Sequence, residues 1–511
     1  MKAWLILFNV IIATNLAIIS AVTSAVAESS IIGDLGIEGS VQQWVTILYF
    51  LGVNSAVPIG NWLGDRFGYK RMYFIGVSFF ILGSFFVGLS SNFHMIVASR
   101  FIEGIGAGLI FPVGLALIMK NFPKEKLSLP INLYLGLSFG GGIGLGSIIS
   151  GYFAQAGYWQ ACFFMNIPFG IFCLIATYYE IKETEKIDNG KFDFWGYLTF
   201  IIFVATLLIA LTQGNLVSTT NGWKSPLVVG CLISCIVALI VWIFIEKKTS
   251  NPIISLKMFK YPLFVMACLS VFAIGSTLFA TVSLASQYME VSLKFQKQTT
   301  GLMLSIYGLA LATFTMFSTF LMKHIHTLLV VLTGLCFLAI SLFMNNELTF
   351  LSNKTHLAMI LILRGMGIGL SLGPITSNGL KNIPLGHTAQ AAMLLTFFRQ
   401  TGATYGGSIL NIIIIRRQFF HSQTFGEQIT NYGIGFQETL RKMTSFFSFY
   451  HGNSPTEAKE RAKQVIIDNV KNQSLIQSIN DALFIFGIVI CCIGFLLIFL
   501  NIKRQKEKPI P

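Results

Sequence analysis

Charged residues are scarce in this chain. They make up 11% of its 511 residues, and apolar residues make up 54%, whereas ordinary soluble domains carry about 25% charged residues. This scarcity excludes an ordinary soluble protein. Apolar runs of about 18 or more residues recur along the whole length, and each is long enough to cross a hydrocarbon layer of about 30 Å. The composition therefore predicts an all-α polytopic membrane protein.

Motifs of phosphate-binding and zinc enzymes are also missing. The chain contains no G-x-x-x-x-G-K-[ST] loop and no H-E-x-x-H helix motif. Its eight cysteines all fall in apolar spans, none forms a C-x-x-C pair, and no histidine cluster accompanies them. We therefore expect no enzymatic activity, no cofactor and no metal site.

The net charge of +14 raises the possibility of a nucleic-acid partner, but the placement of the charges argues against it. Basic residues cluster in short loops that alternate with nearly uncharged loops. Positive loops of this kind remain on the cytoplasmic side of a membrane, whereas a nucleic-acid-binding protein concentrates its basic residues on one face. We expect a lipid bilayer and no nucleic acid as the surroundings of this chain.

Fourteen membrane spans are predicted, and the first of them is too long for a signal peptide. The spans lie near 4–28, 41–63, 72–91, 94–119, 130–154, 159–180, 194–213, 225–245, 262–289, 300–322, 327–345, 356–379, 389–415 and 481–502. An even number of spans places both termini on one side. The loops on the side of Lys2 hold most of the bases, and the opposite short loops hold only Lys224, Lys294, Lys297 and Lys354. Both termini are therefore expected in the cytoplasm.

The polar segment 416–480 is then placed outside the membrane. Within it, Ser454 to Glu457 form a capping box, with Pro455 at the first helical position. The residues that follow predict an amphipathic helix. Two interpretations are open for this helix: a solvated spacer that rests on the bundle, or a docking surface for a partner.

A short polar turn follows the second span and combines one acid with three bases. Its principal residues are Asp65, Arg66, Gly68, Lys70 and Arg71. Gly68 permits a tight turn, and Asp65 is suited to cap a helix or to pair with a base of a neighbouring helix. The pattern D-R-x-G-x-K-R resembles the loop between helices 2 and 3 of the major facilitator superfamily of transporters. That pattern usually begins with glycine, where this chain has Asn61.

The span order strengthens the resemblance. Six spans, two extra spans and six more are similar to the fourteen-helix drug:proton antiporter branch, the EmrB/QacA-type multidrug exporters. The resemblance implies the major facilitator fold, with two six-helix halves and two additional central helices. The expected divisions are an N-terminal half at 1–180, two linker helices at 181–261, a C-terminal half at 262–502 and a basic tail at 503–511.

The fourth span carries two charges one helical turn apart, Arg100 and Glu103, followed by Gly104 and Gly108. A charge inside a membrane helix costs about 2.5–3.5 kcal/mol on insertion scales, so it normally pairs or faces an aqueous cavity. The pattern R-x-x-x-G-x-G-A resembles the fourth-helix motif of the superfamily, in which the arginine is linked to proton coupling. The family usually has Gln at the position of Glu103. Glu103 is thus either the counter-ion of Arg100 or an additional protonatable group.

A third candidate for proton coupling is Glu28, near the end of the first span. The fourteen-helix branch typically has an aspartate in its first helix, and the matching position here is Ser20. Two interpretations are open: Glu28 replaces the lost carboxylate about two turns further out, or it is solvated at the interface.

Glycines in the fifth span, including Gly142, Gly146 and Gly151, predict close helix packing. The region resembles the antiporter motif of export families, although Ser147 replaces its diagnostic proline. In the second half, Gly373 and Pro374 predict a kink. Arg364 and Arg399 are candidates to face the central cavity that the resemblance implies between the two halves. The resemblance also gives Arg399 a packing role.

The resemblance implies a proton-coupled efflux transporter that exports hydrophobic or amphipathic drugs or toxic compounds across the bacterial cytoplasmic (inner) membrane by alternating access. Its expected partners are a small-molecule substrate and protons. In a Gram-negative cell the resemblance adds a periplasmic adaptor (membrane fusion protein) and an outer-membrane channel. The alternatives are a dedicated exporter of one metabolite, such as a siderophore or fatty acid, and a receptor or scaffold that no longer transports.

Overall fold

Every regular element in the described residues is helical, as the sequence predicts. A computed structural model describes residues 2–36, 43–123, 126–184, 186, 190–214, 222–249, 252–349, 352–380, 383, 388–428, 434–451 and 454–507, without the side chains of 428, 434, 451 and 501–507. The predicted basic tail is therefore described as backbone up to Glu507, and 508–511 lie outside the described residues.

The helices of the first half follow each other closely along the chain. They are α1 (Lys2–Val26), α2 (Glu28–Leu35), α3 (Trp44–Phe67), α4 (Tyr69–Gly88), α5 (Phe93–Asn121), α6 (Ser128–Leu135), α7 (Gly141–Gln155), α8 (Gln160–Phe164) and α9 (Asn166–Glu180). A π-helical turn, Gly136–Gly140, joins α6 to α7.

The remaining helices form the linker pair and the second half. They are α10 (Phe194–Gln213), α11 (Pro226–Lys248), α12 (Pro262–Gln287), α13 (Lys297–His324), α14 (Thr327–Phe343), α15 (Lys354–Leu380), α16 (Thr388–Gln428), α17 (Ile434–His451) and α18 (Pro455–Glu507). A π-helical turn, Tyr288–Ser292, extends α12.

A helix lies in each of the fourteen predicted spans. Twelve helical segments of the described chain are long and apolar enough to cross a membrane. The other two predicted spans correspond to α3 and α16, which carry more polar side chains and pack against each other. The chain is therefore a multi-pass membrane protein.

The two extra helices attach to the side of the bundle. Helix α10 packs against α3 and α16, and α11 packs against α10. Five apolar side chains along α11 are more than half exposed: Leu227, Ile233, Ile236, Val237 and Phe244. This surface is suited to contact lipid, whereas α1 and α5 are buried along most of their lengths.

The last helix differs from the prediction. We expected an outer amphipathic helix and a separate span at 481–502, but α18 runs through both without interruption. The physical reason is the sequence, which has no glycine or proline between Pro455 and Gly487 to break the helix. The capping box is confirmed: the Ser454 hydroxyl accepts from the Glu457 backbone N–H at 3.4 Å, and the Glu457 carboxylate accepts from the Ser454 N–H at 3.2 Å.

Candidate functional site

A buried ion pair lies in α5, formed by Arg100 and Glu103. The Arg100 Nη1 atom is 2.6 Å from Glu103 Oε2, and neither side chain has any exposed surface. The spacing of three residues places both side chains on one face of the helix. The structure therefore brings together two of the three predicted coupling residues.

The carboxylate of Glu103 accepts two further hydrogen bonds. Ser20 of α1 donates to Oε1 at 2.7 Å, and Ser84 of α4 donates to the same atom at 2.5 Å. Ser20 stands at the position of the first-helix aspartate in the branch pattern. Glu103 thus places a carboxylate beside that position from the neighbouring helix.

The guanidinium of Arg100 contacts two other helices. It donates to Ser20 Oγ and to Ser24 Oγ, both at 2.6 Å, and to the Val45 carbonyl of α3 at 3.4 Å. Its carbon atom Cζ lies 4.1 Å from the centre of the Tyr49 ring, a distance that suits a cation–π contact. One charge network, which we call the Arg100–Glu103 network, therefore joins α1, α3, α4 and α5.

The polar loop after α3 forms a tight turn on the opposite side of the bundle from Glu28; we call these two ends the Gly68 side and the Glu28 side. Gly68 has a φ of 98°, which favours glycine. Asp65 accepts a hydrogen bond from the Tyr69 hydroxyl at 3.0 Å and lies 3.7 Å from the Lys120 ammonium of α5. Two of the three bases in this loop, Arg66 and Arg71, have exposed side chains.

Residues that follow α9 bind the start of α4. The sequence did not indicate this contact. The carboxylate of Glu183 accepts from the Lys70 N–H at 3.2 Å, and the Thr184 hydroxyl accepts from the Tyr69 N–H at 3.0 Å. The Lys70 ammonium donates to the Tyr178 carbonyl at 2.7 Å. An acid at a helix N-terminus is favoured by the helix dipole, so this segment fixes the loop in place.

Two hydrogen bonds join the halves through α3 and α16. The Asn61 amide donates to the Ala389 carbonyl at 2.7 Å on the Gly68 side. Nearer the middle, the Asn54 amide donates to the Thr404 hydroxyl at 2.9 Å. Asn61 occupies the position at which the family pattern usually has glycine. The hydrogen bond to Ala389 therefore depends on a residue that departs from this pattern.

Glycines of α7 allow close packing on two sides. Gly142 and Gly146 lie against α1, where an added Cβ would come within 2.8 Å and 3.1 Å of neighbouring atoms. Gly151 lies against the backbone of α13 in the other half. The backbones of Gly140 and Gly308 also meet at this interface.

The other predicted packing residues are also buried. Gly104 and Gly108 of α5 lie against the backbone of α3, so neither position has space for a side chain. Gly373 lies against the amide of Asn132 in the other half, and Pro374 is inside the continuous helix α15.

A cavity of about 600 Å³ opens between the halves on the Glu28 side, lined by α1, α2, α3, α10, α12 and α16. The Thr404 hydroxyl that accepts from Asn54 lies on its wall. The main polar residues around it are Glu28, Gln43, Thr212, Gln287, Glu290 and Asn411. The cavity combines these with an aromatic pair, Phe50 and Phe279, whose ring centres are 5.9 Å apart.

Glu28 begins α2, just outside the membrane-spanning α1. Burial, with no neighbouring charge, raises the pKa of its carboxyl group to about 7. The structure thus separates Glu28 from Glu103: Glu28 lines the cavity, and Glu103 is enclosed in its network.

Glu290 also lines the cavity, and it was not among the predicted site residues. It lies one residue beyond the predicted end of the ninth span. A signal was present, because Glu290 follows α12 as Glu28 follows α1, and these are the first helices of the two halves. Such internal repeats place related positions around a shared cavity.

Neither predicted arginine lines this cavity. Arg364 is buried between α14 and α15 and donates to the Ser341 carbonyl at 3.2 Å. Arg399 is buried in α16, one helical turn before Ala403. Its Cζ lies 4.4 Å from the centre of the Phe139 ring in the other half. This contact joins the two halves at Arg399.

Comparison with known proteins identifies the family. The family model described as Major Facilitator Superfamily matches residues 7–407. The chain belongs to the major facilitator superfamily. Among its relatives in the superfamily, the multidrug resistance protein Stp of Mycobacterium tuberculosis (strain CDC 1551 / Oshkosh) is 27% identical over 376 residues, which cover 73% of this chain and 68% of Stp. The multidrug export protein EmrB of Escherichia coli (strain K12) is 24% identical over 490 residues, 94% of this chain and 92% of EmrB.

A solved structure of a proton symporter has the same fold. The crystal structure of a D-xylose-proton symporter aligns with a TM-score of 0.58 at 14% identity, covering 81% of this chain and 90% of that one. The membrane helices and these relatives make the chain a membrane transporter of the superfamily. Its two-half cavity is the expected place for a transported molecule.

Proposed function

We propose that this protein is a proton-coupled exporter of hydrophobic or amphipathic compounds that works by alternating access. The observation that carries the proposal is the cavity between the halves, which opens on the Glu28 side while Asn61 and Asn54 link the halves below it. A cavity closed on one side is the arrangement that alternating access requires. The names of Stp and EmrB support export of drugs.

We place the proton at Glu28. Its carboxyl group lines the cavity and has a pKa of about 7, so it changes charge near neutral pH. Ser24, one turn earlier, accepts from Arg100. The Arg100–Glu103 network thereby holds the end of α1, and a shift of α1 on protonation of Glu28 reaches α3, α4 and α5 through it.

The orientation and organisation follow the sequence. The Gly68 side and both termini are cytoplasmic, the membrane is the bacterial inner membrane, and the halves are 1–180 and 262–502 with a linker at 181–261. The helices of 416–480 then lie outside. In a Gram-negative cell they are the contact for a periplasmic adaptor that leads to an outer-membrane channel.

Transport by the purified protein in proteoliposomes tests the proposal. We expect an imposed pH gradient to drive flux of an amphipathic dye such as ethidium, and Glu28→Gln to abolish the response to the gradient. Glu347→Gln is the matched control, because this exposed acid lies outside the cavity. Glu103→Gln is the comparison that separates the two coupling candidates.

Two results would contradict the proposal in different ways. Gradient-driven flux that survives Glu28→Gln but not Glu103→Gln would move the proton site into the Arg100–Glu103 network. An absence of flux for every compound in a drug panel would favour a receptor or scaffold.

A further inference from the structure

Three arginines in the described chain are buried, and their hydrogen bonding differs. Arg100 donates from all three of its guanidinium nitrogens and pairs with Glu103. Arg364 donates from Nε and Nη2 to Ser341, at 3.5 Å and 3.2 Å. In Arg399 the same two atoms, Nε and Nη2, are buried and have no acceptor in the part of the chain that the structure describes. Buried donors are normally satisfied, so Arg399 lacks a partner that the other two arginines have.

The two free nitrogens of Arg399 form one edge of its guanidinium group. The N–H bonds of Nε and Nη2 lie in the plane of the group and point the same way, which is the fork that binds one anion through two hydrogen bonds. The Phe139 ring is a separate contact, since its centre lies 4.4 Å from Cζ. That ring attracts the positive charge but supplies no acceptor. The edge therefore still lacks a partner.

No carboxylate among the described residues forms an ion pair with Arg399. Its guanidinium interacts electrostatically with the Tyr134 hydroxyl of α6, which belongs to the other half. This hydroxyl is also buried and makes no hydrogen bond of ordinary length and angle, and its neighbour is the Thr14 hydroxyl of α1. A hydroxyl donates to an anion, so Arg399 and Tyr134 offer donors from opposite halves.

A matched pair in the second half shows the same chemistry with its hydrogen bonds made. Arg364 interacts electrostatically with Tyr307, as Arg399 does with Tyr134. There the tyrosine hydroxyl donates to the Leu278 carbonyl at 3.2 Å, and the arginine has the acceptors given above. Both pairs are enclosed in the bundle. Burial alone therefore does not explain the missing acceptors at Arg399.

We propose that a small monovalent anion, such as chloride, binds between Arg399 and Tyr134. Burying an isolated charge costs far more than a contact with an aromatic ring offsets, and an anion both neutralises the charge and accepts from the free edge. The site is enclosed, with Arg399 only 3% exposed and Tyr134 fully buried, which favours a single ion over a larger molecule. Ala403, one turn further along α16, lines the cavity, so the anion site lies outside the cavity, towards the Gly68 side.

An anion at this place would bind both halves at once. Arg399 belongs to the second half, whereas Tyr134 and Phe139 belong to the first. The structure brings these side chains together while the cavity is open on the Glu28 side. The anion would therefore stabilise this arrangement over one in which the halves separate on the Gly68 side.

The melting temperature of the purified full-length protein tests this inference. Chloride is exchanged for gluconate, a much larger anion, at constant sodium concentration and constant ionic strength. We expect chloride to raise the melting temperature by about 2 °C or more, with a saturable dependence on its concentration.

Two variants locate the response. Arg399→Met replaces the buried charge by an apolar chain, and we expect it to lose the chloride response. Only this response is compared, because removing a buried charge changes the melting temperature in its own right. Tyr134→Phe removes one hydroxyl and should need about tenfold more chloride for half of the response. Arg364→Met and Tyr307→Phe are the matched controls, and they should respond as the wild type does.

Chemical labelling supplies a second measurement. Ser408 lines the cavity, so Ser408→Cys reports access from the Glu28 side to a membrane-impermeant maleimide, with the unchanged protein as the background. We expect chloride to increase the rate of labelling, because it favours the arrangement that is open on this side. The increase should be absent when Arg399→Met is also present.

Four results would overturn the inference. They are equal melting temperatures in chloride and gluconate, an unchanged chloride response in both Arg399→Met and Tyr134→Phe, an equal loss of the response in Tyr307→Phe, and a labelling rate that does not depend on chloride. The first of these would leave water as the partner of the Arg399 edge. None of them bears on the proposed function, which the flux in proteoliposomes tests.

Discussion

In the Arg100–Glu103 network, the carboxylate of Glu103 accepts from Ser20, Ser84 and Arg100, whereas in the neighbouring cavity Glu28 and Glu290 receive no hydrogen bond from the described residues. The network lies within one half and joins four of its helices. The cavity lies between the halves on the Glu28 side.

This difference separates two uses of a buried acid. A carboxylate whose oxygens are all hydrogen-bonded holds helices together, and removing its partner leaves a charge without compensation. A carboxylate that lines a cavity and receives no hydrogen bond from the described residues is accessible to a proton from the cavity. The sequence places all three acids near membrane spans, but only their contacts distinguish these roles.

The largest expected effect comes from breaking the network at its cation. Arg100→Leu leaves Glu103 buried without a counter-ion, and such losses cost about 3–5 kcal/mol. We expect a clear fall in the melting temperature of the purified protein.

The double variant Arg100→Leu with Glu103→Leu is the control for that loss. Replacing both members of a buried pair by apolar residues is often nearly neutral. We therefore expect it to melt above the single Arg100→Leu variant. A double variant that melts below the single one would show that Glu103 stabilises the fold without Arg100.

A smaller loss is expected at the contact between the network and α1. Ser24→Ala removes the acceptor of Arg100 Nη2, which lies 2.6 Å away, and an unsatisfied buried donor costs about 1–3 kcal/mol. The melting temperature should fall less than in Arg100→Leu. Ser78→Ala is the matched control, because its exposed hydroxyl donates only within α4. Equal losses in the two variants would argue against the network.

Access to the cavity, unlike the stability of the network, should change when a contact between the halves is removed. Asn61→Ala removes the hydrogen bond to Ala389, worth about 1 kcal/mol, and so makes opening on the Gly68 side easier. Ser408 lines the cavity. We expect Ser408→Cys to react more slowly, by at most about fivefold, with a membrane-impermeant maleimide when Asn61→Ala is also present. An unchanged rate would show that this bond does not affect access.

The last comparison concerns the dependence of stability on pH. The pKa of Glu28 is about 7 in the folded protein against 4.5 for a free carboxyl group. Between these values the folded state keeps a proton that the unfolded chain releases, so the free energy of unfolding falls as pH rises through this window. Glu28→Gln should remove that part of the fall, which melting curves at several pH values would measure. An identical pH dependence in the variant would exclude the raised pKa.

Much of the fold was predictable because hydrophobic length and loop composition are local properties of the sequence. All fourteen predicted spans are occupied by helices, Gly68 adopts a φ of 98°, and Ser454 forms the predicted cap. The continuity of α18 is harder to predict, because the change from polar to apolar residues near 480 resembles a helix boundary. Helices end at breakers and caps, and 456–486 contain no glycine or proline.

The side-chain partners of the site were less predictable, because they depend on how each helix is rotated. The pairing of Arg100 with Glu103 was open to sequence reasoning, since both lie on one helix. The contacts of Ser20 and Ser84 with Glu103, and of Glu183 with Lys70, join residues that are far apart in the chain. Glu290 was missed because only the packing of α1 and α12 shows that it shares a cavity with Glu28.

Because α18 is one unbroken helix, a tilt of its membrane-spanning part also moves the part that lies outside the membrane. At 1.5 Å per residue, its 53 residues span about 80 Å, more than twice the thickness of the hydrocarbon layer. Pro455 lies about 39 Å along the helix from Asp481. A tilt of about 10° inside the bilayer would therefore carry the tip through roughly 7 Å. A probe attached near Pro455 would report, from outside the membrane, the rearrangement of helices that a substrate meets within it.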